Sequence, residues 1–311
     1  MQEGVMRDRR YEILDVFTDR PLAGNPLAVV HDSEGLDDAA MQAIAREFNL
    51  SETVFVAPPR NENHAARIRI FTPQHEMPFA GHPTVGTAVS LALARGIGKG
   101  GRDTMILMLE ENIGDVRCVV SANGSRVFAE FDLPKLAEPV AFNATAEAVG
   151  AAVGLGPHEI GFENHRVAAF SAGVPYITIP VHGLDAAARA SMDSRAWNEI
   201  APDRGDGVQA SAYIYCRETM FHDSAFHARM FTAGPPSWED PATGSALAAF
   251  SGAILAFDQP TDGAWQGWVE QGIEMQRPSR LRLEIDVENG AADGARIGGY
   301  AVSVAEGRLT A

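Results

Sequence analysis

The chain has 311 residues, 46% of them hydrophobic, and a formal net charge of −16. That length suits two compact domains, and acidic residues spread along the whole chain without a basic stripe repel phosphate backbones, which argues against nucleic acid as a partner. The two cysteines, Cys118 and Cys216, lie far apart, the start MQEGVMRDRR has no apolar leader pattern, and the longest nearly apolar run, residues 245–257, is too short to span a bilayer; a cytoplasmic chain with free thiols and no membrane role is expected.

In chain order, YEILDVF and NPLAVV read as strands around a Pro/Gly turn, and DDAAMQAIAREFN carries apolar residues at helical spacing. TVFVA and ARIRIF read as strands, and PTVGTAVSLALA as an apolar helix. GIGKGG, at residues 96–101, lacks the spacing of a phosphate loop and follows a helix, so it reads as a helix end and turn. SANGS, at residues 121–125, interrupts the strand pattern and marks a domain boundary: 1–124 and 125–298, with 299–311 returning to the first domain. Beyond it come VPYITIP, a helical stretch over 185–200, SAYIYC, HARMF and the helix PATGSALAAFSGAIL.

The second series repeats the first. Aligning Arg69-Ile70-Phe71-Thr72 with Arg229-Met230-Phe231-Thr232 sets Phe55 against Tyr215 and Glu52 against Ala212. With a two-residue gap, His82-Pro83 falls on Asp240-Pro241, Gly86 on Gly244 and Thr87 on Ser245. The expected fold class is α+β: two pseudo-symmetric domains, each a curved, mostly antiparallel sheet around a central helix.

Proline at the first helical position would put His82 and Asp240 at the two N-caps. Asp is a common cap; His is a weaker one, which suggests chemistry. The small residues that follow would leave first-turn N–H groups open to an anion, and duplicated halves would turn both helix starts toward one cleft. Glu52 opens a strand where the repeat has no carboxylate. Beside Val54 and Phe55 its pKa would be raised by desolvation, as a general acid requires. No metal set emerges: His75-Glu76 and His82 miss the HExxH spacing, and His222 and His227 stand five apart. Ala242 stands where a GxSxG elbow would begin, which argues against a serine hydrolase.

Together GNPLAVV, LSETVFV, RIFTPQHEMPFAGHPTVGTA, RMFT, EDPATGSA and VEQGIEMQRPSRLRLEI resemble the PhzF-like isomerases of phenazine biosynthesis, which share the duplicated diaminopimelate epimerase fold. The resemblance implies that Glu52 shuttles a proton, and that His82 and Asp240 occupy the places of two catalytic cysteines in racemases and epimerases of that fold. It also implies that Ser51, Gly81, Gly244 and Ser245 help bind substrate. A small carboxylate-bearing substrate, no cofactor and a homodimer go with it. The sequence departs from the family pattern at TAGPPSW, before EDPATGSA, and at Gln276, where glycine is common. A racemase, or a binding protein that has lost turnover, is the alternative.

Overall fold

The computed structural model describes residues 7–203, 209–233 and 237–311. Contacts divide the chain into one unit of residues 1–132 with 298–311 and a second of residues 133–297. The SANGS segment lies inside the first unit. Gly124 and Ser125 form the turn of a hairpin whose ladder runs from Asn123↔Arg126 to Cys118↔Phe131, and the division falls after Asp132 because that pairing holds both strands together.

In the first unit, β1 (Asp8–Val16) pairs antiparallel with β2 (Asn25–Val30), and β3 (Glu52–Ala57) runs parallel to β2. The chain continues through β4 (Ala66–Phe71), antiparallel to β3, and a two-residue β5 (Glu76–Met77). Next come β6 (Thr104–Glu111), parallel to β4, then β7 (Gly114–Asn123) and β8 (Arg126–Asp132). The last strand of the chain, β17 (Ala291–Thr310), pairs with both β1 and β8 and closes the ladder.

Helix α1 (Asp38–Phe48) is amphipathic: Met41, Ile44 and Ala45 face Val30, Phe55 and Phe71, and the Asp37 side chain accepts from Ala40 N. Helix α2 (Gly81–Ala94) is apolar all round, with eleven of its fourteen residues buried, so it belongs inside the sheet; it packs on β1, β2, β3, β6, β7 and β8.

The second unit comprises β9 (Glu138–Val140), α3 (Ala146–Ala152), β10 (Ala168–Ser171) and β11 (Pro175–Pro180), followed by α4 (Leu184–Arg189) and α5 (Ser194–Ile200). Then follow β12 (Ser211–Cys216), β13 (Ser224–Phe231), β14 (Glu239–Asp240), α6 (Gly244–Ala253), β15 (Gly263–Gln271) and β16 (Ser279–Glu288). The helical stretch expected over 185–200 holds two helices, separated where Ser191 N and Asp193 N donate to Val153 O and Ala152 O and so leave the helical path. Helix α6 is the buried one, packed on β9, β10, β11 and β16.

The strand pairings recur. β2∥β3, β3–β4, β4–β5, β4∥β6 and β6–β7 match β11∥β12, β12–β13, β13–β14, β13∥β15 and β15–β16 in sense and order. Even the side chains that lock the short hairpins repeat. Arg69 grips Glu76 with Nε and Nη2 at 2.7 and 2.6 Å, and Arg229 grips Glu239 at 2.8 and 2.8 Å.

The ladders also correct the register read from sequence. Thr53 and Ala212 stand opposite Phe71 and Phe231, so Glu52 corresponds to Ser211, and Phe55 to Ile214. Met77 and Asp240 stand opposite Ile70 and Met230, and the helices open at Gly81 and Gly244. Counted this way, His82 shares its helical position with Ser245, not with Asp240. Proline and glycine recur too often around each helix start for a motif match to find this register; hydrogen bonds set it.

Candidate active site

His82 is the second residue of α2, behind Gly81, with Ala80 as the cap; it is not the cap itself. Pro83 is tolerated one position later because first-turn N–H groups have no carbonyl partner within the helix. The ring is 3% exposed. Its Nε2 lies 3.1 Å from the Asn25 carbonyl, and its Nδ1 lies 2.8 Å from Oε2 of Glu52, the first residue of β3. A carbonyl oxygen only accepts, so Nε2 carries a proton. In neutral His82 the other nitrogen is then an acceptor, and Glu52 must donate. In the imidazolium form the same proton sits on Nδ1 and the carboxylate accepts. Either way one proton is shared between Oε2 and Nδ1.

The Asn25 carbonyl is held in place by the residue before it. Gly24 has φ 65°, and a Cβ there would stand 2.7 Å from Thr18 Cγ2 and closer still to Val16 O. Only glycine meets both demands. Phe17, buried and also at positive φ (63°), lies beside the imidazole with ring centroids 6.5 Å apart. Gly86, read from sequence as leaving space for an anion, is a packing position instead: a Cβ would stand 2.5 Å from Leu27 Cδ2 and 2.8 Å from Val16 Cγ2.

In the second unit Asp240 is buried at the end of β14, three residues before the Thr243 cap of α6, so it too is no N-cap. Its place is set by pairing with Met230 and by the Thr243 hydroxyl, which donates to Oδ2 at 2.5 Å. Gln271 Nε2 donates to the Asp240 carbonyl at 2.7 Å and to Thr243 Oγ1 at 3.1 Å. Gly244 opens the helix, and the half-buried Ser245 shares a 2.7 Å hydrogen bond with Tyr176 Oη. Ser51 is half-buried, directly before β3.

The helices α1, α3 and α5 are capped by Asp37, Thr145 and Asp193, whereas α2, α4 and α6 have no side-chain bond from the cap position; at α4 the Leu184 N–H donates to Glu218 instead. First-turn N–H groups of the two buried helices are thus left to other acceptors. Both cysteines are free and buried. Burial and neighbouring carboxylates push Cys118 well above the ordinary thiol range, and burial followed by Glu218 pushes Cys216 up to about 12.

Among the described residues one His/carboxylate group is tight enough to hold an ion: Glu163, His165 and Asp258. Arg217 already supplies a cation there, bonded to Asp258, 3.2 Å from Glu163 Oε2 and 3.3 Å from His165 Nε2. Of the TAGPPSW departure, residues 234–236 lie outside the described residues. Gln276 adopts φ 58°, the left-handed region where glycine is at ease.

In GNPLAVV the second residue, Asn25, supplies a backbone acceptor to His82, which no side-chain pattern in the sequence marks. Glu111 and Gln271 each end a strand directly after a glutamate, a pattern that does not set them apart in the sequence.

A family model described as phenazine biosynthesis-like protein, PhzC-PhzF, matches residues 14–307. The chain belongs to the PhzC-PhzF family. An uncharacterized isomerase of Mesorhizobium japonicum is 62% identical over 304 residues, covering 98% of this chain and 99% of the relative. The trans-2,3-dihydro-3-hydroxyanthranilate isomerase of Pseudomonas aeruginosa is 32% identical, covering 96% of this chain and 98% of that one. Among solved structures, a PhzF-family protein of Bacillus anthracis superposes with a TM-score of 0.85 at 26% identity, covering 98% and 99% of the two chains. This PhzC-PhzF chain is therefore an isomerase with the mixed α+β fold of its family. No described helix is long and apolar enough to cross a membrane.

Proposed function

We propose that this isomerase moves a proton between carbons of a small, carboxylate-bearing substrate with an amino or hydroxyl group, using Glu52 as general acid and base. The observation that carries the reading is the 2.8 Å contact between Glu52 Oε2 and His82 Nδ1, with Nε2 occupied by the Asn25 carbonyl. A carboxyl that shares one proton with a fixed imidazole has a proton to give and a partner that absorbs the charge change when the proton leaves. Glu52, with its side chain 18% exposed, keeps a route to substrate, whereas the His82 side chain, 4% exposed, acts through it. Asp240 is assigned to polarising the substrate's amino or hydroxyl group, and the uncapped start of α6, at Gly244 and Ser245, to its carboxylate; Ser51 and Gly81 are assigned to substrate contacts.

The recurrence of strand pairings supports a duplicated, diaminopimelate epimerase-like architecture. A two-thiol racemase is disfavoured. The only cysteines, Cys118 and Cys216, lie in strands with their thiols held protonated, which is the wrong state for a base.

The substrate named by the P. aeruginosa relative, trans-2,3-dihydro-3-hydroxyanthranilate, is the first compound to test. Incubated in deuterated water with the wild-type chain, it should isomerise and gain carbon-bound deuterium, and with Glu52→Gln it should do neither at a comparable rate. Binding without exchange would make this chain a binder and overturn the proposal.

A further inference from the structure

We infer that Glu111 is a positioning residue for the Glu52–His82 pair, an uncharged acid that ties the end of β6 to the first turn of α2. The repeat supplies the first argument. In the parallel ladders Glu110 stands opposite Arg67 and Glu270 opposite His227. Glu110 accepts from the backbone N–H groups of Arg60 and Asn61 at 2.9 and 2.8 Å, and Glu270 from those of Met220 and Phe221 at 2.6 and 2.9 Å. These two carboxylates do one job in two units, and the next residue is Glu111 in one and Gln271 in the other. Gln271, a neutral amide, holds the turn that leads into α6 through Asp240 O and Thr243.

Geometry gives Glu111 the same part. Its Oε1 lies 2.8 Å from Thr84 Oγ1, in the first turn of α2, and Thr84 Oγ1 also lies 2.8 Å from the Ala80 carbonyl. A hydroxyl has one proton and the carbonyl can only accept. A neutral Glu111 completes the chain by donating to Thr84, which donates to Ala80. The second carboxyl oxygen is buried and accepts no hydrogen bond from the described residues, so an ionised Glu111 would be left half-solvated by nothing. Burial pushes the carboxyl up to about 8; a Thr84 hydroxyl turned to donate to Glu111 would work against this, but a hydroxyl that gives its one proton to Ala80 O is left to accept from Glu111.

Other titratable groups nearby are accounted for. From β7 comes the Cys118 thiol, which senses Glu111, with Asp132 and Arg117 around it. On β5, Glu76 is neutralised by Arg69 and receives Asn112 Nδ2 at 2.8 Å. The first turn of α2 carries no acidic or basic cap residue; its one titratable side chain is His82. His82 stands two residues before Thr84, so the tie that orders Thr84 and Ala80 also sets where the imidazole meets Asn25 and Glu52. Ionising Glu111 removes its donor and releases that turn.

The test uses the full chain and no substrate, so it stands or falls apart from the proposed reaction. Infrared spectra of the wild type at pH 6.5 should contain a protonated-carboxyl band that is absent from Glu111→Gln and disappears from the wild type as pH rises through about 8. The nitrogen resonances of His82 should step over the same range in the wild type and stay flat in Glu111→Gln, while Glu111→Leu, which cannot bond Thr84, should displace them at every pH. A wild-type spectrum in which isotope-labelled glutamate shows no protonated band assignable to Glu111 would overturn the inference, even if neither variant folds. So would a His82 step that survives in Glu111→Gln.

Discussion

Replacing Glu52 with glutamine separates proton transfer from architecture, because the structure says what glutamine preserves. The Gln amide can donate to His82 Nδ1 across the same 2.8 Å, and the ring keeps its Nε2–H bond to Asn25. Stability should therefore change by no more than the net value of one hydrogen bond, about 0.5–1.5 kcal/mol. What disappears is the shared proton. Loss of a positioned acid/base costs about 10²–10⁴-fold in turnover, or roughly 2.7–5.4 kcal/mol of transition-state stabilisation. Glu52→Ala is the control: it strands a nitrogen on a 3% exposed ring, and an unsatisfied buried group costs about 1–3 kcal/mol on top of the lost turnover. Steady-state rates and solvent-deuterium exchange, read beside denaturant unfolding of both variants, give the two axes. Glutamine turning over within about threefold of wild type would refute the assignment; so would a Gln variant as unstable as the Ala one, since the hydrogen-bond reasoning would then have failed.

Other expectations follow from the same geometry. His227 is wholly buried; burial opposes its charge, yet Glu270 and Glu274, at 2.9 and 3.0 Å, raise its pKa from 6.5 to about 9. A raised folded pKa contributes stability that is full below about pH 6.5 and lost as pH rises through about 9, on the order of 3 kcal/mol, measurable by urea unfolding in a Glu111→Gln background that removes the raised carboxyl, with the Cys118 and Cys216 thiols adding their own loss only above about pH 8.5. Gln276→Gly should relieve the left-handed backbone at φ 58° and change the unfolding free energy by about 1 kcal/mol or less toward stability, whereas Gln276→Val should lose more than that. Gly24→Ala meets a backbone oxygen, which cannot swing aside as a side chain can; a loss of about 2 kcal/mol or more, together with shifted His82 resonances, is expected.

Residue types carried much of this structure in plain view. The apolar sequence of α2 admits no exposed face, and Arg69 and Arg229 in matching strands made the repeat visible. Proline's preference for the first helical position points to His82 and Asp240 as caps; Ala80 and Thr243, which carry no side-chain cap bond, hold those places instead, because proline is tolerated throughout a helix's first turn, where Pro83 sits, and ahead of the cap, where Pro241 sits. Asn25 was hidden for a different reason. A backbone carbonyl belongs to every residue, so only the glycine before it, at φ 65°, marks the spot. Nothing in the sequence around Glu111 sets it apart from a strand-end carboxylate, and the information that it is buried and uncharged resides in Thr84 and Ala80, about thirty residues earlier along the chain.

The last strand has a consequence for how the molecule is made. β17 pairs with β1 from Asp8↔Thr310 to Val16↔Ala301 and also with β8, so the first unit borrows its closing strand from the far end of the chain. During synthesis, residues 8–132 can form hairpins and enclose α2, but both β1 and β8 keep an open edge until nearly three hundred residues have been made. An open edge beside an apolar helix is a template for intermolecular pairing. Folding of the first unit is therefore gated by the final segment, and chains stalled before Tyr300 should depend on chaperones far more than the finished protein does.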